Sequence, residues 1–309
     1  MAVVPLKTTP PIVGLGMVTI DVLAQVPHLP GPDEVFEIPL VEVHGGGPVA
    51  SAMATAARLG TPSAVVGSVG DDVWGDWIVA GLKGVAVDTS YLYRRAGEAS
   101  PRAVVLVEGG TGRRSIMYST GDALRLAVDE LPWDWLREAR VIHLDGVHPA
   151  AALAAARAAR EAGVTVSYDG GAGPFWPGLD DLLPLVDLLV VAKDFAARYT
   201  GRDDVADAAR ELARCGASHV VITDGTRGAW SWVDGGAWHQ PAFAVDVVDT
   251  TGAGDAFHGG YLHAYLAGEN AGHCLRFASA VGALACTRLG GRAGLPKRDE
   301  VEDFLDRHP

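Results

Sequence analysis

From about Ile12 to Gly16 a short apolar run closes on glycines, as a buried strand does before a loop, and that loop carries Asp21. A polar, proline-rich stretch follows. In Val35 to Val43 apolar and acidic residues then alternate, as in a strand with one wet face. After Gly45-Gly46-Gly47, the Ala- and Met-rich run Pro48 to Leu59 has Pro in its first turn and Gly60 beyond its end, which predicts a helix. Ala64 to Gly67 predicts a buried strand and Asp71 to Leu82 a helix. Ala103 to Val107 and Ser115 to Tyr118 predict a hairpin turned at Gly109, Gly110 and Gly112.

The second half has a steadier rhythm. Strands are predicted at Val141 to Leu144, Val164 to Tyr168, Leu185 to Val191, Val220 to Thr223, Ala229 to Val233 and Val245 to Val248. Helices are predicted at Ala150 to Ala162, Gly252 to Leu266 and Cys274 to Arg288. Such β and α alternation implies an α/β fold, a mostly parallel central sheet flanked by helices. The β-type pieces around 33–44 and 101–120 lack helical crossovers and are expected to pair as a small β-sheet lid, all 309 residues forming one domain. An isolated two-stranded piece would be marginal in water, so the lid is also expected to help form a homodimer.

Composition narrows the function. With 49% hydrophobic residues and 39 glycines the chain suits a large core with many tight turns. A formal charge of −13 argues against nucleic acid and anionic lipid as partners. A polyphosphate would need local help from helix N-termini and backbone amides. Cys215, Cys274 and Cys286 show no close metal-ligand spacing and no disulfide framework. Without an apolar run at the N-terminus or one long enough for a membrane helix, the expected location is the cytoplasm. His143, His148 and His258 lack i, i+4 spacing and are expected in the core or at its rim. The tryptophans at 133, 135, 230, 232 and 238 are expected to pack.

The most informative string is Asp249-Thr250-Thr251-Gly252-Ala253-Gly254-Asp255-Ala256-Phe257, a glycine loop running into a helix start. Small residues let a phosphate approach the backbone, where unpaired N–H groups and the helix dipole favour its charge. Asp255, in the first helical turn, is positioned to accept a proton from an attacking hydroxyl. An isolated Gly-Ala-Gly-Asp would more often merely cap a helix; the full string favours phosphoryl transfer. Gly14-x-Gly16 has Thr19 where a third glycine would stand, so a dinucleotide fold is not supported.

DTTGAGDAFHGG resembles the C-terminal signature of the ribokinase-like (PfkB) carbohydrate kinases, and Thr223-Asp224-Gly225-Thr226-Arg227-Gly228 and GSVGDDVWGDWI are similar to other stretches of that family. The resemblance spans nearly the whole chain and implies a ribokinase-like fold and an ATP-dependent carbohydrate kinase using Mg2+. It implies Asp255 as catalytic base and Gly252, Ala253 and Gly254 as anion hole. It further implies Asp21, Gly45, Gly46 and Asp145 at the sugar, and Thr223, Gly225, Thr226, Gly228 and Ser279 at the nucleotide. Asp249 and Thr251, with the loop Cys286 to Gly294, resemble a monovalent-cation site, K+ in relatives.

Two departures stand out. Ala50 occupies the place of the family's sugar-binding asparagine, and Ala192-Lys193-Asp194-Phe195 replaces its Asn-x-x-Glu, leaving Lys193 or Asp194 to take over at magnesium. Within the family the C-terminal run looks most like sulfofructose kinases. Their sulfonate-binding lysine, asparagine and arginine align with Val35, Tyr118 and Val147, so an anionic acceptor loses its charge-assisted partners. A neutral ketose or related polyol is the expected acceptor. A nucleoside, whose base Tyr118, Val35 and Val147 could cover, is the runner-up, and a non-catalytic sugar-binding regulator is the alternative from another class.

Overall fold

The computed structural model describes residues 9–109, 113–171, 175–233 and 235–309. The central sheet has nine strands: β1 (Ile12–Leu15), β4 (Ser63–Gly70), β5 (Asp88–Arg95), β8 (Val141–Leu144), β9 (Thr165–Asp169), β10 (Leu188–Ala192), β11 (His219–Thr223), β12 (Ala229–Val233) and β13 (Gly236–Gln240). Their order is β13-β12-β11-β10-β9-β8-β1-β4-β5. Every pairing from β11 through β5 is parallel; β12 and β13 close one edge antiparallel. A second sheet holds β2 (Thr19–Val26), β3 (Leu40–Gly46), β6 (Arg102–Glu108) and β7 (Arg114–Ser119) in the order β3-β2-β6-β7.

The helices are α1 (Pro48–Arg58), α2 (Val73–Gly84), α3 (Trp133–Glu138), α4 (Pro149–Glu161), α5 (Leu179–Leu182), α6 (Lys193–Thr200), α7 (Val205–Arg214), α8 (Ala253–Leu266), α9 (Ala271–Ala285) and α10 (Arg298–Asp306). They cover both faces, and strand pleating explains how. In β10, Leu188 and Val190 join the core shared with α1, α8 and α9, while Leu189 and Val191 join the core shared with α4 and α7. A strand buried on both sides reads as a continuous apolar run, which is why these central strands were legible.

Several expectations need correction. Asp21 lies inside a strand, not a loop, because β2 leaves the main sheet and becomes the lid's middle strand. The pieces at 33–44 and 101–120 share the lid, but β2 separates them, pairing antiparallel with β3 and parallel with β6. Only the end of the first piece is strand; residues 33–39 have no regular structure. The predicted strand Val245 to Val248 does not form: residues 241–248 run as irregular chain with Phe243 and Val245 packed against the core. β5 and β13 were not anticipated, since DTSYLYRR and GAWHQ lack the apolar density of the central strands. The β6–β7 hairpin is as expected, although Gly110 and Gly112 of its turn lie outside the described residues. Trp133, Trp135 and Trp232 pack into the core, whereas Trp238 is exposed.

The lid's two faces differ. Asp21, Ala103 and Tyr118 are in register on one face, with His44 opposite Asp21. On the other, Val43, Val22, Val104 and Met117 are in register, and Val43, Val104 and Met117 are exposed. No described helix is long and apolar enough to cross a membrane.

Candidate active site

At the C-terminal ends of β1, β8 and β9 the strands stop and side chains converge, as expected for an open parallel sheet. Glycines make the room. A Cβ on Gly16 would overlap the Asp145 carboxylate, and one on Gly46 would overlap Asp21. Asp145 binds the loop after β1, accepting from Met17 N at 2.7 Å and, through its other oxygen, from Val147 N at 3.0 Å. Burial nevertheless raises it to about 7. Asp21 is raised to about 6, burial outweighing the opposing fields of Arg292 and His44; its Oδ1 is shielded and unpartnered.

Across the cleft α8 begins. Its N-cap, Gly252, has φ +72°, and a Cβ there would lie 2.8 Å from Gly291 Cα, so the tight turn requires glycine. Asp249 ties the loop down from beneath: Oδ1 accepts from Thr251 N at 2.8 Å and Thr251 Oγ1 at 2.7 Å, and Oδ2 from Gly290 N at 2.9 Å. These two residues, the expected cation ligands, thus brace the loop. The first helical amides have no intrahelical acceptor; Ala253 N turns to Thr250 O at 3.3 Å.

Asp255 sits at the third helical position, half-buried, and no hydrogen bond contributes to the environment of its carboxyl. Burial first, then Asp169, raises its carboxyl to about 6, against the opposing fields of His258 and Arg292. It is therefore mostly ionised at neutral pH and close enough to its transition to accept a proton.

Asp169 and Arg292 escaped the sequence reading, and His143 and His258 were expected only in the core or at its rim. Asp169 ends β9 before Gly170-Gly171, the same strand-end position that singled out Asp145. Its Oδ1 lies 3.4 Å from His258 Nε2 and accepts from Gly171 N at 2.7 Å; this bonding and the His258 field hold it down at about 2 despite burial. His258 is raised by Asp169 against its burial. His143 bonds Ser167 Oγ through Nδ1 at 3.0 Å and faces His258 at 5.2 Å between rings; burial lowers it to about 3. The fold thus gathers core histidines far apart in sequence, with donor atoms of His143, Asp169 and His258 within 4.8 Å of one another. The contact with Asp169 and the serine bond engage one nitrogen of each histidine, while His143 Nε2 and His258 Nδ1 are shielded and without a hydrogen-bond partner among the described residues. Arg292 was visible only as an arginine among glycines.

Of the residues expected at the nucleotide, Thr223 ends β11, and Gly225–Arg227 form one 3-10 turn. Gly225 and Gly228 have φ +51° and +92°, Thr226 is exposed, and Asp224 pairs with Lys193 at 3.5 Å. Ser279 and Gly282 share a face of α9: a Cβ on Gly282 would lie 3.2 Å from Ala253 O, and Ser279 Oγ is shielded and unpartnered. A separate hollow at the opposite, N-terminal ends of the parallel strands, lined by Arg140, Thr165, His219 and Trp238, contains none of these groups.

A match to the model of the pfkB family of carbohydrate kinases covers residues 10–298. The chain belongs to that family. It is 32% identical to an ATP-dependent ribose-1-phosphate kinase of Halopiger xanaduensis over 95% of this chain and 97% of that one. It is also 32% identical to fructokinase-2 of Zea mays over 86% of each. The solved structure of Arabidopsis thaliana ribokinase with ribose and ATP superposes with a TM-score of 0.84 at 28% identity, covering 96% of this chain and 99% of that one. The fold is ribokinase-like, the smaller sheet included, and the chain is an ATP-dependent carbohydrate kinase, acting on a sugar or nucleoside.

Proposed function

We propose that this kinase transfers the γ-phosphoryl group of ATP to a hydroxyl, the primary one, of a neutral ketose or related polyol, with Asp255 as the base. The observation that carries this is the carboxylate of Asp255, raised to about 6 and within the field of Asp21 across the cleft. The acceptor oxygen attacks the γ-phosphorus, its proton passes to Asp255, and the bond to the β-phosphate oxygen breaks with the electron pair leaving on ADP. Amides of Gly252, Ala253 and Gly254 favour the charge on the transferring group. Asp21 and the shelf at Gly45 and Gly46 orient the sugar, Asp145 holds the loop behind it, and Thr223, Gly225, Thr226, Gly228 and Ser279 line the nucleotide.

Magnesium, which neutralises phosphate charge when bound, finds no preformed cage at Ala192-Lys193-Asp194-Phe195. Lys193 faces Asp224 as a cation and Asp194 is exposed on α6. The ion would enter on the phosphates with its waters. A K+ at Asp249 and Thr251 would add to a brace already formed by hydrogen bonds. The exposed apolar row Val43, Val104 and Met117 supports a lid-to-lid homodimer, and a cytoplasmic location suits the thiols of Cys215, Cys274 and Cys286, which form no disulfide.

A nucleoside acceptor is favoured by one observation, the 70% exposed Tyr118 on the lid face that carries Asp21, an aromatic surface for a base. A coupled assay of ATP turnover with free sugars, phosphorylated sugars, sulfosugars and nucleosides decides. Turnover of neutral sugars is expected, turnover of phosphorylated or sulfonated sugars alone refutes the acceptor class, and no turnover at all favours a sugar-binding regulator.

A further inference from the structure

Arg292 follows Gly290-Gly291 in the loop after α9, far in sequence from Gly45 and Gly46, yet its guanidinium lies across that pair. Nη2 donates to Gly46 O at 2.5 Å and Nε to Ser51 Oγ at 3.3 Å. These two bonds fix the plane of the group. Nη1 is shielded from solvent and without a partner among the described residues, in the space a Cβ on Gly45 would need. On the adjacent glycine sits Asp21, whose Oδ1 is equally shielded and unpartnered.

An unspent donor and an unspent acceptor therefore stand over two consecutive glycines, and each is costly to leave unmade. A purely structural brace explains Nη2 and Nε but leaves Nη1 idle. A ligand that offers one oxygen lone pair and one hydroxyl proton satisfies both orphans. Charge narrows the ligand further: the guanidinium acts on both Asp21 and Asp255, with His44 beside the first and His258 beside the second, so its charge is already divided between two carboxylates before an anionic group enters.

We propose that Arg292 is an acceptor-binding residue whose Nη1 donates to an oxygen of a neutral polyhydroxy acceptor while a neighbouring hydroxyl donates to Asp21 Oδ1. It supplies from the C-terminal loop a polar contact that the buried Ala50 of α1 cannot make. The assignment rests on the kinase reading of this site and specifies how that site holds its acceptor.

The test is steady-state kinetics of wild type and Arg292→Met with D-ribose, D-fructose and their deoxy analogues, beside calorimetric titration of the same sugars with a non-hydrolysable ATP analogue present. Acceptor KM and Kd should rise roughly ten- to a hundredfold, with KM for ATP changed by less than about twofold. The wild-type penalty against one deoxy analogue should disappear in the variant, because the missing hydroxyl no longer has a partner. Gly45→Ala, which crowds Nη1 without removing its charge or straining the backbone, should give the same KM increase and carries the measurement if Arg292→Met does not fold. Equal sugar affinity in wild type and variants, or unaltered discrimination against every deoxy analogue, overturns the assignment. A preference for ribose 1-phosphate over ribose that vanishes in Arg292→Met would make Arg292 an anion-binding group and overturn the neutral-acceptor half. Failure of the kinase reading appears separately, as wild-type protein that turns over no ATP with any acceptor, and the calorimetry still reads Arg292 in that case.

Discussion

Replacing Asp255 with asparagine removes one proton-accepting oxygen and keeps the side chain's shape. In the folded protein its carboxyl is raised to about 6 from an ordinary 3.8, chiefly by burial, so ionisation there is disfavoured by about 1–3 kcal/mol. The sign follows from linkage. A group whose folded pKa exceeds its unfolded value contributes its full stability below the unfolded value and loses it as pH rises through about 6. At pH 7.5 the wild type therefore carries a strained charge that Asp255→Asn lacks, and the variant should unfold a few degrees higher, an advantage that disappears below about pH 4. Activity should move the other way: loss of a general base lowers kcat by about 10²- to 10⁴-fold or more. The assays are kcat with a confirmed acceptor, calorimetric binding of ATP and acceptor, and thermal unfolding across pH. ATP binding should be unchanged or slightly tighter, because a negative charge near the phosphates is gone. A variant retaining more than about a tenth of wild-type kcat, with chemistry rate-limiting, refutes Asp255 as base. A lower melting temperature at pH 7.5 refutes the burial argument and restores a structural role for the carboxylate.

Since Asp21 and Asp255 are both raised to about 6, kcat/KM should fall as pH drops through that region, an acid limb belonging to the pair and simplified to one group in Asp21→Asn. Gly252→Ala should cost about 1–3 kcal/mol in urea unfolding, because φ is +72° and Gly291 Cα lies 2.8 Å from the new Cβ; unchanged stability and kcat would show that the turn tolerates a side chain. Asp72 caps α2 through Gly75 N at 2.8 Å and holds Ser100 N at 2.9 Å just before β6, so Asp72→Ala should lose about 1–2 kcal/mol with the m-value unchanged. Solution scattering should report a dimer that Met117→Glu dissociates, and a wild type monomeric at high concentration would remove the lid-to-lid assembly.

The sequence by itself determined the class of fold and the chemistry of α8. Strands buried on both faces are forced into unbroken apolar runs, and a phosphate loop needs small residues immediately before a helix, so β8 through β12 and Gly252 to Asp255 were legible locally. It also marked Asp21 and the glycine pair, but not their setting. That β2 crosses into the second sheet, and that Asp21 sits in a strand over Gly46, depends on pairing with β3 and β6, partners up to about 80 residues away in sequence, which no local period encodes. The irregular segment before the loop shows the converse: Val245 to Val248 has strand composition, yet only Val245 packs against the core, Val247 and Val248 are exposed, and the segment joins no sheet. His258 stands one turn along α8 from Asp255, a proximity helix periodicity already implies, but Asp169 on β9 and Arg292 after α9 were decided by tertiary structure alone. Their effect on Asp255 is electrostatic, set by burial and separation in space. Residue type announces a charge; only the fold decides which other charge it must answer.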